Sequence, residues 1–166
     1  MGGTKRQAAA RTILNSPPHI CPNIRRLEHR DIDAVLSIQS ASPETAQWTL
    51  WDYNRVADSE MAGWVAEGNG NIIGFLVARE VANDLEILNL AVAPNERRRG
   101  VGAAMLQNAL DWGMGLHAEQ VLLEVRESNR AARQFYERHH FRVTGRRVNY
   151  YTAPAEDGLV LSLRLA

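Results

Sequence analysis

Leu90-Ala91-Val92-Ala93-Pro94-Asn95-Glu96-Arg97-Arg98-Arg99-Gly100-Val101-Gly102 reads as a strand end, a turn and a helix start in one unbroken run. The apolar segment stops at proline. A short polar turn follows, carrying three arginines and two glycines. Val101, Met105, Leu106, Ala109 and Leu110 then fall at helical spacing. A junction of this kind aims free backbone N–H groups and the positive end of a helix at whatever lies before it, which is how phosphate is bound. A nucleotide-hydrolysing loop needs Gly-Lys-Ser/Thr, which is absent. A dinucleotide fingerprint needs a third glycine where Met105 stands. A solvated basic turn is the bland alternative, and the turn alone does not decide against it.

The flanking sequence supplies the rest of an α/β domain with a mixed sheet. Residues 22–28 read as a first strand, and Asp31 or Asp33 caps a helix carrying Ile32, Val35, Leu36 and Ile38. Ser42-Pro43-Glu44 is expected to open a second helix, which carries Trp48, Trp51 and Tyr53. Residues 61–67 and 71–79 flank Gly68-Asn69-Gly70, a strong hairpin signal, and Asn83-Asp84 turns into a strand over Leu85–Val92. Val121-Leu122-Leu123-Glu124-Val125 suggests a buried parallel strand after a crossover helix. Ser128-Asn129 caps a helix running to about His139. Residues 141–151 and 158–165 read as two closing strands around a turn at Pro154–Gly158.

The bulk numbers fit one domain. The chain has 166 residues, 45% of them apolar and 23% charged, with a formal net charge of zero. A chain of this size buries roughly 70% of its unfolded surface. Zero net charge gives no reason to expect nucleic acid or an anionic membrane as partner. No apolar stretch approaches the ~18 residues of a membrane span. The single cysteine, Cys21, cannot form an internal disulfide, which fits a cytoplasmic setting. Residues 1–20 hold Lys5, Arg6 and Arg11 without an acid, end in Pro17-Pro18 and lack a signal-peptide core, so a disordered leader is expected before a domain over 21–166.

Arg97-x-x-Gly100-x-Gly102, after a strand ending Leu90-Ala91-Val92, resembles the acyl-coenzyme-A motif of the GNAT superfamily of N-acetyltransferases. Glu124-Val125-Arg126-Glu127-Ser128-Asn129, then Ala131-Ala132, Phe135-Tyr136-Glu137-Arg138 and Phe141, resembles the second block of that family. Arg147-x-x-Tyr150-Tyr151 is similar to the closing signature of the branch that acetylates protein N-termini, typified by the ribosomal-protein alanine N-acetyltransferases. The resemblance runs from about residue 24 to 165 and is densest between 86 and 151.

It implies a single-domain GNAT fold: a mixed, mostly antiparallel sheet of about seven strands with a central splay, and about four helices. It implies that acetyl-coenzyme A lies in that splay as acyl donor. The backbone of Leu90, Ala91 and Val92 would pair with the pantetheine arm, because a splayed edge offers N–H and C=O groups that need partners. The turn Arg97, Arg98, Arg99, Gly100, Val101, Gly102 and Ala103 would wrap the pyrophosphate, the glycines allowing close approach. The three arginine side chains cannot all share that work.

The implied reaction is direct attack of an amine on the thioester. An α-amine has a pKa near ~7.7–8.0, so a proton must leave and a base is needed. Glu124 interrupts an apolar strand and matches the family's proton acceptor; burial would raise its pKa. Pairing with a neighbouring arginine is its structural alternative, and Glu86 is the rival base. Tyr136 would donate to the departing thiolate, and Asn129, seven residues earlier on the same helix face, would contact coenzyme A. Cys21 lies too early for an acyl-enzyme route, and the histidines show no metal-ligand spacing, so no metal is implied.

In this branch the acceptor enters between residues 41–53 and 150–158. The ribosomal enzymes carry a Phe-Pro-Trp-like sequence where this chain reads Ser42-Pro43-Glu44-Thr45-Ala46-Gln47-Trp48. The aromatics here form either a peptide-groove wall or core packing. The expected acceptor is a protein N-terminal α-amine, a ribosomal protein among the candidates, and the expected state is a monomer or weak dimer. A small amine such as a polyamine or an antibiotic is the second reading, favoured by a closed acidic pocket. A non-catalytic acyl-coenzyme-A module is the third, against which the joint presence of Glu124, Asn129 and Tyr136 argues.

Overall fold

The computed structural model describes residues 20–165. The expected leader lies outside these residues except for Ile20. That residue packs on the core and donates its N–H to the Arg99 carbonyl at 3.0 Å.

The chain runs β1 (Asn23–Arg26), α1 (Ile32–Ser40), α2 (Leu50–Ala57), β2 (Ala62–Gly68), β3 (Asn71–Val81), β4 (Asp84–Val92), α3 (Val101–Gly115), β5 (Gln120–Arg126), α4 (Arg130–Arg138), β6 (Arg142–Thr152) and β7 (Ala155–Arg164). The strands form one sheet in the order β1-β2-β3-β4-β5-β7-β6. Only β4 and β5 run parallel. Helix α3 makes the crossover between them, as parallel neighbours require. The β2–β3 turn places Asn69 and Gly70 at φ 52° and 77°, the mirror-image turn that the Asn-Gly pair favours.

Two apolar layers clamp this sheet. Trp64, Leu76, Leu85, Ile87, Val121 and Leu123 pack against Val101, Met105 and Leu106 of α3 on one face. Leu27, Val65, Phe75 and Val77 pack against Val35 and Ile38 of α1 and Tyr53 and Val56 of α2 on the other. Each large side chain so buried contributes ~1.5–3 kcal/mol.

β4 serves both layers. Leu85 and Ile87 face α3, whereas Ala91 faces α1 and α2, and the Asn89 amide reaches the Tyr53 hydroxyl. Strict alternation would keep all four on one side. The register against β3 slips at this point: Val77 pairs with Asn89 but Ala78 pairs with Ile87, leaving Leu88 as the extra residue of a bulge. β5 leaves at the same level. Its pairing with β4 ends at Ile87–Leu123, while Glu124, Val125 and Arg126 continue against β7 alone. The bulge thus coincides with the mouth of the central splay.

Three local expectations are corrected. Ser42-Pro43-Glu44 does not open a helix: the Ser42 carbonyl accepts bonds from Thr45 N–H, Thr45 Oγ1 and the Gln47 amide, which holds the segment as a loop. α2 begins after Thr49, whose hydroxyl accepts from Asp52 N–H in a capping box. Asp31 occupies the N-cap position of α1 without capping it, because its carboxylate takes Arg25 at 2.7 Å and 2.8 Å and Glu28 N–H at 2.9 Å. The last hairpin turns at Ala153-Pro154, earlier than its composition suggests. Glu156 and Asp157 join the ladder because Arg126 and Ser128 hold the first carboxylate and Arg146 and Asn149 N–H the second. Among the described residues no helix is long and apolar enough to cross a membrane.

Candidate active site

The splay opens into a cleft of about 690 Å³. Its floor is β4 and β5. One side is α4, which contributes Asn129, Ala132 and Tyr136. The loop Pro43–Trp48 forms the opposite wall, and Arg147, Tyr150, Tyr151 and Ala153 of the β6–β7 hairpin close the end. Glu124, Glu86 and Leu90 line it as well. The expected acid, base, strand edge and acceptor segments therefore meet in one place.

The turn expected to hold the donor is shaped by its backbone. Gly100 sits at φ 87° as the N-cap of α3, a left-handed conformation that costs other residues roughly 1–2 kcal/mol. Among the described residues no side chain caps this helix, and its first i→i−4 bond is Ala104 N–H to Gly100 C=O. The N–H groups of Val101, Gly102 and Ala103 precede that bond and point outward with the helix dipole. A Cβ on Gly102 would stand 3.5 Å from Phe135, an ordinary contact, so protein packing does not demand glycine there.

The strand edge is more selective than expected. Ala93 donates its N–H to Ile73 C=O on β3. Alternation then commits Ala91 to β3 as well and turns the N–H and C=O groups of Leu90 and Val92 toward the splay. Ala91 is therefore removed from the expected ligand-facing set; its side chain is buried in the α1–α2 layer. The arginines separate too. Arg97 turns away from the helix end: Nε donates to Val92 C=O at 2.9 Å and a terminal nitrogen to Ser42 Oγ at 2.7 Å. Arg99 pairs with Glu96 at 2.7 Å, and Arg98, at φ 62°, is exposed.

Glu124 stands half-buried where β5 leaves β4. Its Oε1 lies 2.9 Å from Arg147 Nε. The arginine alternative raised for this residue is thus realised, on a side chain that is itself 55% exposed and lies over the Tyr150 ring. The Tyr150 hydroxyl lies against the same carboxylate; a hydrogen bond to Glu124 first, then burial, pushes the Tyr150 pKa up. Glu86, the rival base, is held by Arg79 at 2.6 Å. Tyr136 is buried among Phe135 and Phe141, and that burial pushes its pKa up, so the phenol keeps its proton at neutral pH. Asn129, which lines the cleft, spends its side-chain oxygen on Ala132 N–H at 3.1 Å, and its NH₂ end remains as a donor.

The loop expected to face the acceptor rests on residues that the sequence did not single out. Gln39 exchanges two bonds with the Trp48 backbone, at 2.8 and 3.0 Å, and accepts from Tyr53 OH. Asn89 donates to Ala46 C=O at 3.0 Å and to Tyr53 OH at 3.2 Å. A buried asparagine inside an apolar strand was the available signal, since such a group needs partners. The three aromatics divide. Tyr53 is core, edge-on to Phe75; Trp48 lines the cleft; Trp51 is exposed under Arg55. β6 reaches the cleft through a register break between Arg147 and Tyr151, where Asn149 at φ 52° gives its N–H to Asp157. Among the described residues no group of three or more His, Cys, Asp or Glu could hold a metal ion.

A family model described as the acetyltransferase (GNAT) family matches residues 24–141. A Bacillus subtilis protein provisionally named ribosomal protein bS18-alanine N-acetyltransferase is 31% identical over 140 residues, 83% of this chain and 92% of its own. The N-alpha-acetyltransferase of Sulfurisphaera tokodaii is 27% identical over 156 residues, 86% of this chain and 92% of its own. The crystal structure of the ribosomal-protein-S18-alanine N-acetyltransferase from Escherichia coli superposes with a TM-score of 0.77 at 27% identity, covering 87% of this chain and 94% of that one.

Proposed function

The chain belongs to the GNAT acetyltransferase family, and from that premise we propose that it moves the acetyl group of acetyl-coenzyme A to the N-terminal α-amine of a protein, a ribosomal protein among the acceptors. The donor's diphosphate rests on the N–H groups of residues 98–103 and the arm runs along Leu90 and Val92. The thioester then lies between Glu124 and Tyr136. Glu124 takes one proton from the ammonium, directly or through water, and the neutral amine so formed attacks the thioester carbonyl. Carbonyl carbon and nitrogen bond as the carbon–sulfur bond breaks; Tyr136 gives its proton to the departing thiolate, and the second proton that the nitrogen sheds on becoming an amide restores the phenol. Asn129 steadies the arm.

One observation carries the choice of acceptor: the three acids of the cleft are each neutralised by an arginine. Glu44 pairs with Arg97, Glu86 with Arg79 and Glu124 with Arg147. A pocket for a polyamine needs uncompensated negative charge. This cleft offers instead a charge-balanced surface lined by Trp48, Tyr150 and Tyr151, which suits a peptide end carrying a single charge. A cytoplasmic setting fits both such an acceptor and the lone, exposed Cys21.

A panel of peptides with free or blocked N-termini, each also carrying a lysine, tests the reading by mass spectrometry. Acetyl-coenzyme A should label only free α-amines. Tyr136→Phe should lower kcat by ~10²-fold or more with little change in donor affinity. Labelling of polyamines in preference to every peptide overturns the acceptor assignment.

A further inference from the structure

Arg97 opens the donor turn, yet its guanidinium belongs to the opposite wall. Besides its bonds to Val92 C=O and Ser42 Oγ, it stands 3.1 Å from Glu44 Oε1. Ser42 is fully buried. Its carbonyl collects Thr45 N–H at 3.0 Å, Thr45 Oγ1 at 2.8 Å and the Gln47 amide at 3.2 Å. The loop that walls the acceptor cleft is thus folded around Ser42. Its other side-chain anchors, Gln39 and Asn89, are buried in the frame of the domain. Arg97 ties the same loop to the turn that faces the donor.

We propose that Arg97 is a positioning residue that couples the two halves of the site: when a diphosphate fixes the turn, Arg97 fixes Ser42 and with it the acceptor wall. The inference rests on the reading that residues 98–103 hold the donor. Arg97 is 40% exposed, and an ion pair on such a side chain gains little because ordering a long chain offsets the attraction. A ligand that already immobilises the backbone of the turn removes part of that ordering cost. Donor and acceptor then tighten one another by the same factor. The arrangement needs the planar fork, since Nε and a terminal nitrogen serve different partners; a lysine offers one point of attachment.

Amide hydrogen exchange on the full chain, with and without saturating coenzyme A, tests this without turnover or knowledge of the acceptor. In the wild type exchange should slow at Val101–Ala103. It should also slow at Thr45 and Trp48, by about fivefold or more, the lower end of measured site–site coupling. Arg97→Gln, Arg97→Lys and Ser42→Ala should keep the response of the turn and lose that of the loop. Ser42→Ala leaves Arg97 and residues 98–103 themselves unaltered, so it stands as the check if Arg97 variants fold poorly. A protected turn with an indifferent loop in the wild type overturns the coupling and leaves the donor reading intact. A full loop response in Ser42→Ala shows that the signal bypasses Arg97, which also overturns it. An unprotected turn overturns the donor reading and the coupling together.

Discussion

The two walls of the candidate site, the turn before α3 with its strand edge and the loop across the cleft, are built by different means. The wall expected to take the donor is main chain: a left-handed glycine at residue 100, the start of α3, which no side chain caps among the described residues, the N–H and C=O of Leu90 and the N–H of Val92. The wall expected to face the acceptor is mostly side chain: Gln39 and Asn89 bond the loop 43–48, the Ser42 hydroxyl takes Arg97, and Arg147 and Tyr150 look in from β6. Backbone geometry is specified by neighbours in sequence, so the donor wall carries a motif. Side-chain brackets assembled from α1, β4 and β6 need no local signature. The difference teaches where a shared chemistry is kept and where acceptor choice can vary.

The largest effect should fall where the walls meet. Glu124→Gln should reduce kcat by ~10²–10⁴-fold while acetyl-coenzyme A still binds, as single-turnover kinetics beside calorimetry would show. If donor affinity falls equally, Glu124 belongs to the donor wall and the division fails.

The division also explains what was legible. The turn after residue 97, the Asn-Gly hairpin and the parallel pair β4–β5 follow from glycine placement and apolar periodicity. The bulge at Leu88 does not, because residues 85–92 are apolar at both parities and a one-residue slip leaves no trace in such a run. Ser42-Pro43-Glu44 carries a helix-start signal, but the Ser42 carbonyl and hydroxyl are claimed by Thr45, Gln47 and Arg97, the last of them 55 residues away. Arg97 was legible as part of the motif and not in its direction, which only the fold fixes.

A smaller effect separates the walls in binding. Gly100→Val places a β-branched residue at φ 87°. The strain of roughly 1–2 kcal/mol should weaken acetyl-coenzyme A by about tenfold and leave the acceptor KM at saturating donor little changed. Asn89→Ala should do the reverse. It strands the Ala46 carbonyl and costs ~1–3 kcal/mol of stability by denaturant titration, and it should raise the acceptor KM with donor affinity intact.

The smallest effect is a control on the frame beneath both walls. Burial pulls the Asp31 carboxyl pKa up, but the Arg25 bonds and Glu28 N–H outweigh it and hold the group below the usual carboxylate range. With the folded pKa below the unfolded value near ~3.9, its contribution is full above that pH and is lost as pH falls through the folded value. Asp31→Asn should therefore destabilise the domain at neutral pH, and the gap to the wild type should narrow progressively on acidification below about pH 4. Thermal unfolding across that range would measure it, and neither donor affinity nor acceptor KM should respond.

A crystal structure with acetyl-coenzyme A bound tests the central claim most directly. The account predicts the diphosphate on the amides of residues 98–103, the arm along Leu90 and Val92, and the thioester between Glu124 and Tyr136. A diphosphate held elsewhere, or a thioester remote from Glu124, would contradict it.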